Sequence, residues 1–205
     1  MARPEVSAEQ KKVKRDAILS AAREVFAEKG FHAAGIADIA ARLDVGHGTI
    51  YRYFDNKLDI FLTLYDAISA DFLRIAQGTR PDLSHTIEDY VGEMQRFCME
   101  FSQIFLREIS HLRIFFDEVH AAPEIRRRFE ASQQAFQLAT ERFLDIGRDK
   151  GFLRGELHIP STARLLNAMI LDAMRASVEP ATASNNLLLL AMTLIEVFTK
   201  GALNR

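Results

Sequence analysis

The chain has 205 residues, 48% of them hydrophobic and 26% charged, a composition typical of a globular protein with a buried core. Ten glycines and five prolines are too few for a loop-rich β-protein, so a helical fold is favoured. The N-terminal residues lack the apolar stretch of a secretory signal, and the longest strongly apolar run, 187–192, is much shorter than a membrane-spanning helix. The single cysteine, Cys98, cannot form an internal disulfide, which fits a reducing cytoplasm. We therefore predict a cytoplasmic helical protein that does not span a membrane.

The charge is nearly balanced but unevenly distributed. A formal net charge of −2 argues against a protein that binds nucleic acid indiscriminately. Residues 1–57 carry 10 Lys and Arg against 8 Asp and Glu, whereas residues 58–205 carry 16 against 20. Four of the basic residues fall within positions 11–15. Such a run is either the solvated start of a helix or a surface that contacts phosphate.

The first predicted elements form a helical cluster. Apolar residues recur at helical spacing over 12–29, and Gly30 follows as a C-terminal stop signal. A short second helix is predicted over 36–43. The turn 44–46 then leads to a third apolar-periodic segment, 47–54. Helix, three-residue turn and helix make up a helix-turn-helix.

A fourth helix is predicted over 57–77, because Asn56 is a good N-cap and Gly78 ends the apolar periodicity. The loop that follows is the natural domain boundary. It separates a first domain, 1–57 with its linking helix 57–77, from a second domain, 78–205. The remaining pattern stays helical and shows no period-two alternation, so the predicted fold is all-α. The later predicted helices cover 84–102, 103–120, 123–150, 161–179 and 184–203, with one long helix through Ser102 as the alternative to a break there.

The last two predicted helices, 161–179 and 184–203, are apolar around most of their circumference. Such helices are buried on nearly every side, in a large core or in an interface. A domain of this size has a limited interior, which favours a homodimer seam of four helices. A plain core is the alternative.

The third segment has the character of a helix that reads DNA. A helix in the major groove needs small or polar residues at its N-terminus, so that base edges can be approached. His47, Gly48 and Thr49 meet that need, whereas Ile50 and Phe54 are spaced to face the core. Donors for phosphate are then supplied by Tyr51, Arg52 and Tyr53.

Lys57 falls in the first turn of the fourth helix, where a cation opposes the helix dipole. A DNA phosphate docked at that N-terminus would give the ammonium and the free N–H groups a partner. The alternative is a lysine that points into solvent.

Together these motifs resemble the N-terminal DNA-binding domain of TetR-family transcriptional regulators over about residues 14–61. The elements that carry the resemblance are "A…F…KGF", the "I…IA…L.V" second helix, "GTIYRYF" and "NK". The resemblance implies a helix-turn-helix over 36–54 with its recognition helix at 47–53. It further implies a homodimer through the last two helices and a ligand pocket in the C-terminal domain. The implied base contacts are His47, Gly48 and Thr49, and the implied phosphate contacts are Tyr51, Tyr53 and Lys57, to which we add Arg52 and Lys14.

Several positions depart from the family's common pattern. Ala34 and Gly35 stand where Thr or Ser often caps the second helix and meets phosphate, which puts that contact in doubt. Gly46 replaces a Ser-like cap, His47 a frequent Lys, and Asp44 a frequent Gly. These departures predict a distinct operator preference.

Two features of the second half resemble further binding sites. Asp117 and His120, spaced i and i+3, resemble half of a di-iron carboxylate site, with His111 and Glu118 as further ligands, but no second pair is evident. Several phenylalanines around 97–116 suit a pocket for a small lipophilic ligand, although they could equally fill a core. We predict no cofactor, metal or catalytic residue. The predicted pocket residues are Phe101, Phe105, His111 and Phe115.

The sequence thus favours a ligand-responsive transcriptional regulator, a repressor that binds a pseudo-palindromic operator as a homodimer and is released by an effector. It is not predicted to be an enzyme. The alternatives are an all-α metal-dependent enzyme and a constitutive DNA-binding dimer without an effector.

Overall fold

The protein, described by a computed structural model over residues 7–119, 122–178 and 187–203, is built from α-helices. The described part contains no strand; an isolated bridge pairs Leu153 with Leu203. None of the described helices is long and apolar enough to cross a membrane. The all-α prediction is confirmed. The helices are α1 (Ala8–Ala33), α2 (Ile36–Arg42), α3 (His47–Ile50), α4 (Lys57–Gly78), α5 (Ile87–Glu118), α6 (Pro123–Asp149), α7 (Ile159–Val178) and α8 (Leu187–Ala202), with a 3₁₀ turn at Pro81–Leu83.

The N-terminal helix begins earlier than the apolar pattern indicates. A capping box precedes it: the backbone N–H of Gln10 donates to Ser7 Oγ at 3.2 Å, and Ser7 N–H donates to the Gln10 side chain at 3.1 Å. The apolar periodicity misses this start because the first turns are polar. Near its other end α1 kinks at Gly30, whose φ of +76° is the left-handed conformation expected of a stop signal.

The break predicted near Ser102 is wrong, because α5 runs continuously for 32 residues. The Ser102 hydroxyl donates to the Cys98 carbonyl 2.7 Å away, so it bonds along the helix rather than ending it. The helix begins at Ile87, where Thr86 caps the N–H of Asp89 at 3.1 Å. The predicted start at 84 was therefore three residues too early. Of the predicted last helices, positions 179 and 184–186 lie outside the described residues.

Contacts divide the chain into two compact units, Met1–Ala67 and Ile68–Arg205. The division falls inside α4, the helix that the sequence indicated as the link. The first unit is held together by apolar side chains from all four of its helices. Phe61 of α4 lies 5.8 Å from Phe26 of α1, and Phe31 lies 4.7 Å from Phe61, measured between ring centres. The buried residues around them include Ile18, Val25, Ile39, Ile50, Phe54 and Ile60.

The second unit packs α5, α6, α7 and α8 together around two apolar clusters. One cluster centres on Phe105 and includes Phe101 and Leu112 of α5. The other centres on Tyr90, whose ring stacks on Phe143 with centres 4.6 Å apart. Burial of these rings supplies the main driving force for packing the unit.

Candidate nucleic-acid interface and ligand cavity

The turn between α2 and α3 is set by three consecutive residues, Asp44, Val45 and Gly46. Asp44 adopts a φ of +52°, the left-handed conformation that Asp tolerates better than most residues and Gly better still. The Val45 N–H donates to the Ala40 carbonyl at 3.0 Å, which closes the end of α2. Gly46 is the N-cap of α3. The predicted helix, turn and helix are thus present, with the turn at the predicted residues.

The predicted recognition helix is shorter than expected: α3 spans one turn, 47–50, rather than 47–53. Residues 51–53 continue as tightened turns, since the Arg52 N–H donates to Thr49 O and the Tyr53 N–H to Ile50 O. Ile50 is 0% exposed, so the predicted core role of this residue is confirmed. Phe54, 2% exposed, has the same role.

The predicted base-contacting residues form one edge of this element. His47 and Gly48 are exposed and Thr49 is half-buried. A Cβ placed on Gly48 would meet no atom within 4 Å, so the space in front of the backbone is open. The edge is thus free for another molecule to approach, while Ile50 behind it fixes its orientation.

The predicted phosphate donors flank that edge. Tyr51 is 56% exposed, Arg52 and Lys14 are exposed, and Tyr53 is half-buried. Within the described residues neither Arg52 nor Lys14 has an ion-pair partner. Their charges are therefore available to an anion.

Two cations of this unit, Arg42 and Lys29, are paired within it. Arg42 of α2 bridges Glu24 and Glu28 of α1 at 2.8 and 2.5 Å. Its hydrogen bond lowers the pKa of the Glu28 carboxyl, as the Lys29 ammonium lowers that of Asp38. These pairs tie α1 to α2 rather than facing outward.

Lys57 also makes internal contacts, which the sequence did not indicate. Its ammonium donates to three carbonyl oxygens: those of Phe31 at 2.6 Å, His32 at 3.2 Å and Ala34 at 2.8 Å. It also lies 4.5 Å from the centre of the Phe31 ring. The sequence predicted either a DNA phosphate or solvent around the Lys57 ammonium. It gave no sign of a contact with the backbone at the end of α1.

The second unit contains an apolar cavity between the end of α4 and helices α5 to α8. It encloses about 610 Å³ of empty space, part of it open to solvent. Two hydroxyls are its polar side chains: Thr79 donates to the Ala76 carbonyl at 2.9 Å, and Thr140 lies within 3.0 Å of the Phe136 carbonyl. None of the residues that line the cavity carries a charge. The remaining lining residues are Ala76, Met94, Phe97, Cys98, Ala139, Phe143, Leu144, Leu166, Ile170, Leu194, Ile195 and Phe198.

An adjoining groove between α5, α7 and α8 shares part of this wall. It has about 1,120 Å³ of empty space that includes open solvent, and Cys98 and Ile170 line both spaces. Asp172 is the charged side chain on the groove's wall. Burial raises the pKa of the Cys98 thiol to about 11, so this thiol stays protonated near neutral pH.

Most of the residues predicted for a pocket lie elsewhere. Phe101 lines the groove, but Phe105 and Phe115 are packed into the core at 0% and 3% exposure. His111 has its ring 3.5 Å from the buried Glu108 carboxylate and lines neither space. The sequence missed Phe143 and Phe198, because aromatic residues in a helix look alike whether they border a cavity or fill a core.

The di-iron idea finds no support in the described residues. Asp117 is exposed, and His120 lies outside the described part of the chain. Among the residues that are described, no three His, Cys, Asp or Glu side chains are grouped closely enough to hold a metal ion.

An exposed apolar face runs along α7 and α8, the helices predicted to pair between two subunits. Leu165 of α7 is 66% exposed, and Leu189 of α8 is 64% exposed. Met169, Met192 and Val197 add to the same two helices with exposures from 45% to 59%. Large apolar side chains left in water on neighbouring helices are typical of an interface.

Comparison with known proteins agrees with this geometry. Residues 18–64 match the family model described as bacterial regulatory proteins, tetR family. The fatty acid metabolism regulator protein of Bacillus subtilis is 42% identical over 64 residues, which cover 31% of this chain and 33% of that protein. The HTH-type transcriptional repressor BepR of Brucella suis is 29% identical over 162 residues, 76% of each chain.

Solved structures extend the likeness to nearly the whole chain. SmeT, the repressor of the Stenotrophomonas maltophilia multidrug efflux pump SmeDEF, superposes with a TM-score of 0.72 at 22% identity, over 93% of this chain and 90% of SmeT. Its complex with triclosan gives a TM-score of 0.76, over 94% and 92% of the two chains. At 22% identity the structural likeness shows the fold alone. The family match rests on the sequence of residues 18–64. Residues 18–64 therefore match the TetR family of bacterial regulatory proteins, and the chain as a whole has the fold of solved structures that include TetR-family regulators.

Proposed function

We propose that this regulator is a repressor that binds a pseudo-palindromic operator as a homodimer in the cytoplasm. The observation that carries the proposal is the exposed edge His47–Thr49, held on an element whose Ile50 and Phe54 are buried. An edge so fixed can enter a major groove with its polar groups toward the bases. BepR and SmeT, both named as repressors, support the sign of regulation.

The proposed contacts divide by chemistry. His47, Gly48 and Thr49 are assigned to base edges, since His47 can donate or accept a hydrogen bond and Thr49 offers a hydroxyl and a methyl group. Phosphate contacts hold the protein in register without reading sequence. They are assigned to Lys14, Tyr51, Arg52 and Tyr53.

A homodimer is proposed through α7 and α8. A palindromic operator requires two recognition elements related by a two-fold axis. The exposed leucines, methionines and valine of α7 and α8 would be covered by the same face of a second copy.

The proposed effector is a small lipophilic molecule without a charge, bound in the apolar cavity. A buried charge needs a partner, and the cavity wall supplies none. The SmeT–triclosan complex shows a lipophilic compound with a protein of the same fold, which supports this class. The effector would lower operator occupancy only if it binds better to a conformation whose recognition elements are wrongly placed for DNA.

A mobility-shift assay tests the proposal. The purified protein should retard a duplex taken from upstream of its own coding sequence, with affinity that falls steeply between 50 and 200 mM salt. Arg52→Ala should weaken binding by roughly tenfold, as expected for one lost phosphate contact per subunit. Arg113→Ala, which removes an exposed arginine of the second unit, is the matched control and should bind like the wild type.

The effector part has its own readout. A screen of uncharged lipophilic compounds should find one that raises the thermal midpoint and releases the duplex. A compound that raises the thermal midpoint but does not release the duplex would contradict the proposed effector mechanism. Retardation that is insensitive to Arg52→Ala and to salt would contradict the proposed interface.

A further inference from the structure

The apolar cavity of the second unit continues into the adjoining groove between α5, α7 and α8. Phe97, Cys98, Ile170 and Leu194 line both spaces. Because the same side chains border the cavity and the groove, a molecule longer than the cavity can extend past them into the groove. The two spaces can therefore hold two parts of one ligand.

The groove differs from the cavity in its polar groups. Whereas the cavity wall carries no charge, the groove is lined by Ser102, Asp172 and Thr193. The Ser102 hydroxyl donates to the Cys98 carbonyl at 2.7 Å, and the Thr193 hydroxyl donates to the Leu189 carbonyl at 2.9 Å. A hydroxyl has a single proton, so both oxygens are left able to accept a further hydrogen bond but not to donate one.

Asp172 gives the groove its strongest acceptor. It is exposed on α7 and has no ion-pair or hydrogen-bond partner among the described residues. An ionised carboxylate accepts hydrogen bonds and donates none, and bonds to it are stronger than bonds between neutral groups. The thiol of Cys98 adds only a weak donor. The described polar side chains of the groove thus offer acceptors and lack a strong donor.

We propose that the effector carries a hydrogen-bond donor at one end, with its apolar body in the cavity and its donor on Asp172 in the groove. This rests on the proposed function, which places an uncharged lipophilic effector in the cavity, and adds the polar group that sets its selectivity. A hydroxyl or an amide N–H would gain a carboxylate acceptor. An ether or an ester can only accept, so it would lose its bonds to water and gain none from the groove.

A different pocket offers the opposite chemistry but is less suited to bind it. It shares two wall residues with the cavity and carries Arg74 and Arg96, which could receive an acidic end. Arg74 is already paired with Asp71 at 2.8 Å. Arg96 is paired with Glu93 at 2.5 Å, and Glu100 adds a carboxylate to the same wall. An acidic end is therefore the less favoured alternative.

The groove also borders the face proposed for the homodimer, because Met169 and Val197 belong to both. A second copy on that face would shield Asp172 from water, and a hydrogen bond to the carboxylate would then be stronger. The same neighbourhood allows a rival role for Asp172, an ion pair with the second copy. The oligomeric state must therefore be measured together with ligand binding.

The test compares 1-octanol with its isomer heptyl methyl ether on the full-length protein. The two molecules contain the same atoms, but only the alcohol can donate a hydrogen bond. Octanoate supplies an acidic end on a chain of the same length. Asp172→Asn removes the charge with little change in size, and Asp117→Asn is its matched control, since Asp117 is exposed and lines neither space. Calorimetric titration gives the dissociation constants, and sedimentation gives the mass of the assembly.

The wild type should bind 1-octanol roughly tenfold more tightly than the ether, and octanoate more weakly than either. In Asp172→Asn the ratio of the two constants should fall to about one, because an amide both donates and accepts. The thermal midpoint without ligand and the mass should stay unchanged. Asp117→Asn should keep the wild-type ratio. Ala139→Phe should abolish binding of both isomers, because the apolar body has lost its cavity.

Three results overturn the inference and leave the proposed function intact. The first is equal affinity of the wild type for the two isomers, or a ratio that Asp172→Asn leaves unchanged. The second is tighter binding of octanoate, which would move the polar end to Arg74 and Arg96. The third is a lower mass for Asp172→Asn, which would assign the carboxylate to the homodimer. If neither isomer binds the wild type, the cavity is not a lipophilic site, and the effector part of the proposed function fails together with the inference.

Discussion

Replacing Gly147 with alanine should destabilise the second unit severely, because the side chain of Tyr90 occupies the space of the missing Cβ. A Cβ built on Gly147 would lie 2.8 Å from Cε2 of Tyr90 and closer still to Cζ and Oη. Tyr90 is 0% exposed, its ring stacks on Phe143, and its hydroxyl donates to the Phe143 carbonyl at 3.1 Å. The ring must retreat by roughly 1 Å to reach ordinary contact distance, and this shift would disturb its stacking on Phe143.

The cost can be estimated from these contacts. Overpacking a buried site costs about 1–3 kcal/mol, and a buried hydroxyl that loses its acceptor costs about 1–3 kcal/mol more. Alanine gains about 1 kcal/mol over glycine within a helix. The net loss is about 3 kcal/mol, which corresponds to a fall of roughly 6–12 °C in the thermal midpoint of a domain of this size.

Circular dichroism at 222 nm during heating and urea unfolding measures the effect. Gly92→Ala is the matched control: Gly92 lies inside α5, and a Cβ there meets no atom within 4 Å. It should raise stability by about 0.5–1 kcal/mol. In a Tyr90→Ala background, Gly147→Ala should lose its penalty. If Gly147→Ala behaved like Gly92→Ala in the wild type, the packing of Tyr90 on α6 would be wrong.

Three further predictions concern the turn, the thiol and the cavity. Because φ is +52° at Asp44, Asp44→Gly should raise stability by up to about 1 kcal/mol or leave it unchanged, whereas Asp44→Val should lower stability. Urea unfolding of both variants checks this, and equal stabilities would contradict the turn geometry. The pKa of the Cys98 thiol is raised to about 11, so little of it is thiolate at pH 8. Cys98 should therefore react with iodoacetamide at pH 8 roughly 100-fold more slowly in the native protein than in urea. Equal rates would contradict its burial. Ala139→Phe should fill the apolar cavity and abolish stabilisation by any lipophilic ligand found in the screen. Operator binding without ligand should be kept. If the ligand still raised the thermal midpoint of this variant, its site would lie elsewhere.

The sequence predicted the helix-turn-helix well because its signals are local. Caps and apolar spacing act within a few residues, and Gly35 and Gly46 are N-caps at their predicted positions. At Gly30, where a helix end was predicted, α1 kinks and continues to Ala33. The same local signals misplaced α5 near Ser102. A serine can cap a helix or bond back along it, and burial by distant residues decides between the two.

What depends on contacts distant in sequence could not be predicted. Lys57 and Phe31 lie 26 positions apart, and no pattern in either segment announces that one donates to the other. The cavity residues Phe97 and Phe143 face the same space from two helices, while Phe105 and Phe115 face the core. Helical periodicity identifies a buried face but not whether packing on that face leaves a void.

Selection of duplexes from a random pool by the wild type and by His47→Ala tests the central claim most directly. The wild type should select a two-fold symmetric consensus, with half-sites about one helical turn apart or a multiple of that spacing. The His47→Ala protein should select the same consensus with its preference relaxed at one pair of symmetric positions, because a side chain that reads a base edge has been removed. An identical consensus from both proteins, or a wild-type consensus without symmetry, would contradict a dimer that reads DNA through the edge of α3.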